Sequence, residues 1–258
     1  MFSLSIYLQG LLAAVSAALL TWLLSLYRRN VAIVDSLWSL LFALTAIVYV
    51  VGAPVRGPRS LWVLSLVAVW ALRLSGYITW RNWGHGEDRR YQAIRARNQP
   101  HFDVKSLYLV FLLQALLAWI ISLPLLGAAL NPRPLGILDV VGTVLWLVGM
   151  VFEAGGDLQL ARFKAVPSNR DKVMDKGFWR FTRHPNYFGD FCVWWGLYLM
   201  AAAAGAWWSF VGPLLMSVLL MRVSGVTLLE KDIGERRPKY VDYIRRTPAF
   251  FPGIPKRP

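Results

Sequence analysis

Cysteine is nearly missing from this 258-residue chain. Cys192 is its single one, which rules out an intrachain disulfide framework and a cysteine-ligated metal cluster. Acidic residues are scarce as well, 14 Asp and Glu against 28 Lys and Arg, for a formal net charge of +14. All charged residues together reach 16%, well under the roughly 25% of an ordinary soluble domain. There is no Gly-x-Gly-x-x-Gly after a strand, no Gly-x-x-x-x-Gly-Lys-Ser/Thr, no His-Glu-x-x-His and no Gly-x-Ser-x-Gly. A Rossmann or P-loop domain, a zincin and an α/β-hydrolase are therefore excluded. Internal repeats and low-complexity tracts are absent too. No basic residue precedes the first apolar run, which is also too long for a signal-peptide core, so no cleaved signal is expected.

What is present is apolar: 57% of residues are hydrophobic, and the mean hydropathy is +0.46. A pI near 10.3 would ordinarily raise nucleic acid as a partner, but long apolar runs separated by basic loops are the pattern of a membrane protein. Crossing a hydrocarbon core of about 30 Å takes about 20 mainly apolar residues. Seven stretches meet or approach that length: Leu4 to Leu26, Val31 to Gly52, Leu61 to Trp80, Leu107 to Leu126, Leu135 to Ala154, Phe191 to Ala204 and Trp207 to Leu229. The last two meet through Gly205 as a tight hairpin. The expected fold is all-α, a polytopic integral membrane protein with seven transmembrane helices, one domain over 1–258. Within it, 1–105 holds three helices and a basic loop, expected to form the substrate side, and 106–258 holds the C-terminal helices, whose loops are expected to bind a cofactor for the reasons given below.

Basic residues set the orientation. The turn after the first span, the loops after the third and fifth, and the tail from Arg222 carry 24 Lys and Arg, including Lys231, Arg236, Arg237 and Arg257. The opposite loops carry 3, Arg56, Arg59 and Arg133, and Arg73 lies within a span. This bias predicts an N-terminus outside and a C-terminus in the cytoplasm, as in a multi-pass protein of a bacterial inner membrane. Topology alone accounts for the bias. It does not account for Glu87, Asp88, Asp157, Asn186 and Asp190 among aromatic residues in the same loops, a mixture suited to an anionic soluble ligand such as a phosphorylated cofactor.

Ionisable side chains inside a span are costly and so point to function. Asp35 lies about 6 Å inside the second span, and Tyr77 lies at about the same depth in the third, by a rise of 1.5 Å per residue. Arg73, Tyr77 and Arg81 recur every four residues and share one stripe. A carboxyl and a phenol at equal depth can share a proton beside a substrate carbonyl; the alternative is an Asp35–Arg73 ion pair that only fixes helix packing. Glu153, Asp157 and Lys164 fall on one helix face if the helix runs on through Gly155 and Gly156. That face suits a ribose and a phosphate, or else is a self-neutralising surface. In Thr182-Arg183-His184-Pro185-Asn186-Tyr187-Phe188-Gly189-Asp190, proline fits the first turn of a helix, so a helix starts at Pro185. Its exposed amides with Arg183 and His184 make an anion site, and Asn186 and Asp190 lie one turn apart, able to read an amide or sugar hydroxyls.

Three segments together resemble the bacterial members of the steroid 5-alpha-reductase family. They are Arg81-Asn82-Trp83-Gly84 running on to Glu87-Asp88-Arg89-Arg90-Tyr91, then Gly156-Asp157 with Lys164, then Arg183 to Asp190 ahead of Trp194-Trp195-Gly196. A terminal pattern extends the match: Glu230-Lys231, Arg237-Pro238, Tyr240, Tyr243 and Phe250-Phe251-Pro252. The Arg-His-Pro-Asn-Tyr element is shared with membrane sterol reductases and with isoprenylcysteine and phospholipid methyltransferases. The resemblance implies a seven-helix membrane reductase that uses NADPH to reduce the C4–C5 double bond of a 3-oxo-Δ4-steroid. It implies cofactor roles for Asp157, Lys164, Asn186, Asp190 and Tyr243. The chain departs from the eukaryotic members in carrying Asp35 where they have a glutamate, and Glu230 near an expected histidine.

The resulting expectation places Asp35 and Tyr77 as the catalytic acid pair, with Asp35 keeping a proton in its hydrogen bond to the phenol. Trp38 and Arg73 are expected at the substrate, a steroid or similar enone entering from membrane lipid. The expected cofactor set is Arg81, Asn82, Glu87, Asp88, Arg90, Tyr91, Glu153, Asp157, Lys164, Lys172, Arg183, His184, Asn186, Tyr187, Asp190, Arg222, Glu230 and Tyr243. Arg90, Lys164 and Arg183 are expected on the phosphates. The rival readings are an S-adenosylmethionine-dependent membrane methyltransferase and a non-catalytic transporter or lipid-binding scaffold.

Overall fold

The computed structural model describes residues 2–223, 225–230, 233 and 238–256. Lys231, Arg236, Arg237 and Arg257, named above for the basic tail and the terminal pattern, lie outside the described residues. The described residues form helices joined by loops: α1 (Leu4–Arg28), α2 (Ile33–Gly52), α3 (Pro58–Asn82), α4 (Arg89–Arg97), α5 (Phe102–Ile121), α6 (Leu123–Ala129), α7 (Ile137–Ala165), α8 (Pro185–Ala203), α9 (Trp207–Val223), α10 (Val226–Glu230) and α11 (Tyr240–Arg246). Five of these, α1, α2, α3, α5 and α7, are long and apolar enough to cross a membrane. Large side chains such as Leu12, Leu20, Leu72, Ile137 and Val140 stand exposed along them, as lipid-facing positions do. The chain is thus a helical, multi-pass membrane protein.

Local chemistry explains most of the boundaries. Pro58 and Pro185 occupy first turns, where a missing N–H costs nothing. The fourth apolar run is interrupted where the sequence alone suggested continuity. Ser122 closes α5 and Pro124 opens α6, because proline has no N–H to give the preceding turn. The fifth is longer than its apolar run, extending eleven residues past Ala154 to Ala165. Gly155 and Gly156 do not end it, so Glu153, Asp157 and Lys164 do share one continuous helix.

The chain divides into two compact units, Met1–Gly136 with Met200–Val211, and Ile137–Leu199 with Gly212–Pro258. In the first, α2 packs between α1 and α3. The Ser39 hydroxyl donates to the Ala71 carbonyl at 2.9 Å, and Tyr49 and Ser122 share a hydrogen bond at 2.8 Å. Tyr7 and Trp119 stack at 4.1 Å, and the indole N–H donates to the Tyr7 carbonyl at 2.8 Å. In the second unit, α7 and α8 meet backbone to backbone. A Cβ on Gly189 would lie 2.4 Å from the Glu153 nitrogen and 2.5 Å from the Gly149 carbonyl, and one on Gly196 would lie 2.5 Å from the Gly142 carbonyl. Gly142, Gly149 and Gly156 recur every seven residues and face Pro185, Gly189 and Gly196. Such a small-residue seam lets membrane helices approach closely where no hydrophobic effect drives them together. It also sets the first turns of α8 against the polar stretch of α7.

Candidate functional site

The first unit gathers its polar residues around Asp35. The carboxylate, 15% exposed, accepts from the Arg90 guanidinium at 2.9 Å through Oδ2 and from the Tyr91 hydroxyl at 2.6 Å through Oδ1. Both contacts come from α4, whose start is set locally: Asp88 caps it, its Oδ1 accepting the Arg90 backbone N–H at 2.9 Å and the Arg90 Nε at 3.1 Å. Glu87 anchors the same loop. Its carboxylate accepts the Val31 backbone N–H at 2.9 Å and a paired contact from Arg95, both at 2.9 Å. Arg95 also reaches Asp103 at 3.1 Å.

The electrostatics follow from these contacts. Burial pushes the Asp88 carboxyl up, but the Arg90 backbone N–H and guanidinium outweigh it and hold Asp88 below the usual range. Glu87 is lowered in the same way, with Arg95 and the Val31 N–H overcoming burial. The Tyr91 phenol is driven up, first by burial and then by the Asp35 charge, so it keeps its proton at neutral pH. Gln114 adds a second contact, its amide N–H donating to the Tyr91 oxygen at 3.4 Å, while its own Oε1 is buried with no hydrogen-bond partner.

This arrangement changes the sequence-based expectation in a specific way. The phenol bonded to Asp35 is that of Tyr91, and both contacts put Asp35 in the accepting role. Tyr77 does lie on one stripe with Arg73 and Arg81, whose guanidinium groups stand 5.6 and 5.7 Å from its ring. Trp38 packs edge-on against Phe42 at 5.1 Å. Arg81 turns to Asn82 at 3.2 Å. Arg90 and Tyr91, expected at the cofactor, both contact Asp35. The 55-residue reach from Arg90 to Asp35 was not legible in the sequence.

The second unit holds the other cluster. Glu153, Asp157 and Asp190 are buried, and the Asn186 amide donates to Asp157 Oδ1 at 3.3 Å. These are the residues that the glycine seam brings together. Lys164, Lys172 and Arg222 are exposed, Lys172 turning to Asn169 at 3.3 Å. Tyr187 stacks on His184 at 5.6 Å. Tyr243 is buried and donates to the Trp179 carbonyl, fixing α11 against the loop before α8.

Arg183 is largely engaged within the protein. Its Nε and Nη2 hold both oxygens of Glu230 at 2.7 and 2.8 Å, and its Nη1 donates to the carbonyls of Ile244 and Thr247. That engages all but one of its N–H groups on a side chain 8% exposed. His184 Nε2 lies 2.9 Å from the same Glu230 oxygen. Burial alone would raise the Glu230 carboxyl, but His184 and Arg183 override it and hold the group at about 2. Arg183, expected on a phosphate, and Glu230 and His184, expected at the cofactor, thus contact one another in this structure. The Arg-His pair ties the start of α8 to α10 and α11.

The chain belongs to a family described as proteins of unknown function, DUF1295, whose model matches residues 21–247. It is 25% identical over 285 aligned residues to an uncharacterized protein of Schizosaccharomyces pombe, covering 96% of this chain and 80% of that protein. No solved structure matches the chain.

Proposed function

We propose that this DUF1295 protein is a membrane reductase that uses NADPH to saturate the C4–C5 double bond of a 3-oxo-Δ4-steroid or a similar lipid enone. The observation that carries the reading is the 2.6 Å hydrogen bond from the Tyr91 hydroxyl to Asp35 at the entrance of a membrane-spanning helix. Reducing an enone requires a proton donor held at the carbonyl oxygen, where negative charge develops. Tyr91 is that donor in this reading. Its single O–H is donated to Asp35, so in this reading the phenol turns that hydrogen to the carbonyl oxygen when substrate binds, and Asp35, held by Arg90, keeps the hydroxyl at that position until then. The apolar helices around it take the hydrocarbon body of the substrate.

The second cluster supports the cofactor half. Asp157, Asn186, Asp190 and Glu153 are acceptors and one amide, a set that fits ribose hydroxyls and a carboxamide. NADPH, when bound there, supplies the hydride. With Arg183 committed to Glu230, the exposed cations Lys164, Lys172 and Arg222 carry the phosphate role. The reading includes seven membrane crossings, α8 and α9 forming the last two, with the N-terminus outside and the cofactor entering from the cytoplasm. The charge bias of the loops supports that orientation.

The test is turnover of a 3-oxo-Δ4-steroid by detergent-purified protein with NADPH. Tyr91→Phe and Asp35→Asn are each expected to lower kcat by about 10²-fold or more, the scale of general acid catalysis, while Tyr77→Phe stays within a few-fold. Turnover that falls with Tyr77→Phe and survives Tyr91→Phe returns the acid role to Tyr77. Saturable S-adenosylmethionine binding with no NADPH oxidation replaces the reductase with a methyltransferase, and neither activity leaves a non-catalytic protein.

A further inference from the structure

Outside both clusters, the second unit holds a pocket of about 490 Å³ walled by three separate stretches of chain. Lys176 and Arg180 come from the loop before α8, Arg246 from the end of α11, and Lys256 from the C-terminal segment; Tyr243 forms part of its wall. Asp175 is the one acid among the described residues that line it, and it lies 3.7 Å from Arg246. Four cations against one carboxylate leave a net charge of +3 facing one cavity.

The convergence is built rather than incidental. The Arg183 backbone N–H donates to the Pro248 carbonyl at 2.9 Å, Gly253 N–H to the Phe181 carbonyl at 2.9 Å, and Lys256 N–H to the Arg246 carbonyl at 2.9 Å. The Thr182 hydroxyl adds a bond to the Phe250 carbonyl at 2.8 Å. These contacts hold the C-terminal segment against the loop and the end of α11, so the backbone stretches that carry the four cations stay side by side. Topology rules demand basic residues on one membrane face but place no demand that they surround a cavity. Like charges held together repel, and an occupant of opposite sign relieves that cost. The volume falls in the range of small-molecule sites, about 300–1,000 Å³, which exceeds a bare phosphate and suits a group of mononucleotide size.

We propose that this pocket binds a phosphate-bearing ligand through Lys176, Arg180, Arg246 and Lys256. Two sources share that chemistry, a soluble phosphomonoester nucleotide and a phosphate lipid headgroup. The inference does not depend on the reductase reading, and a protein that binds such a ligand without oxidising NADPH leaves it standing. The experiment titrates detergent-purified full-length protein with 2′,5′-ADP, and separately counts phosphatidate retained from mixed phosphatidate and phosphatidylcholine micelles by native mass spectrometry. At least one probe is expected to bind saturably, and the double variant Arg180→Gln, Lys256→Gln to weaken it at least tenfold. Arg245→Gln, whose side chain faces Asp242 at 3.8 Å away from the lining, is expected to stay within twofold. Sensitivity in the first arm identifies the soluble source, and sensitivity in the second the headgroup. Both altered side chains are exposed, and Arg180→Lys with Lys256→Arg, which keep the charge, are expected to restore binding if the loss is electrostatic. Absence of saturable binding for both probes, or binding that survives the double variant, overturns the proposal.

Discussion

The Asp35 and Glu230 clusters use the same parts to different ends. Each is a carboxylate clamped by an arginine and a second donor from a distant point in the chain. At Glu230 the arginine side chain is 8% exposed and spends nearly all its N–H groups, two on the carboxylate and two on backbone carbonyls. At Asp35 the arginine is 38% exposed, touches the carboxylate through one nitrogen, and leaves the other oxygen to a phenol. The first arrangement leaves one N–H of its arginine unspent and holds three elements together. The second keeps a protonated hydroxyl aimed by its neighbours, with Gln114 Oε1 still without a hydrogen-bond partner beside it. Saturation, more than residue type, separates a structural ion pair from a candidate catalytic one.

The sharpest way to break that comparison is to remove Glu230. Glu230→Ala strands a buried guanidinium, and the loss of one partner of such a pair is expected to cost about 3–5 kcal/mol, read as a drop in melting temperature in detergent. Acid probes the same contact more gently. A carboxyl held at about 2 contributes stability that is complete above its ordinary pKa of about 4.3 and lost as pH falls toward about 2, roughly 3 kcal/mol in all. The gap in melting temperature between wild type and Glu230→Gln is expected to narrow over that window; a gap that stays constant breaks the assignment. Tyr91→Phe removes one bond to a charged acceptor and is expected to cost about 1.5–3 kcal/mol, a smaller effect on stability than on turnover. Arg90→Lys keeps the charge at a pair whose arginine is 38% exposed, and is expected to change stability by under about 1 kcal/mol. If Arg90→Lys costs as much as Glu230→Ala, the distinction drawn from saturation fails.

The long helices were readable because an apolar run of about twenty residues has few other stable solutions, and Pro185 marked the start of α8 for a local steric reason. The end of α7 was not readable that way. Its last eleven residues are mostly polar or small, and what holds them helical includes contacts from elsewhere, such as the Trp179 indole on the Gly156 carbonyl at 3.0 Å. The candidate sites divide similarly. Asn186 with Asp190, and Glu153 with Asp157, share helix faces by spacing alone. Their meeting across two helices depends on the Gly149–Gly189 approach.

Residue composition and local spacing thus determined that this is a helical membrane protein, which runs are long enough to span, and which polar residues share a face, because these depend on neighbours within a few turns. Tertiary structure decided that Tyr91, and not Tyr77, bonds to Asp35, that Arg183 is consumed by Glu230, and that four scattered cations surround one pocket. Those pairings join residues tens of positions apart, and a hydrogen bond responds to distance in space, on which a linear pattern of residue types places almost no constraint.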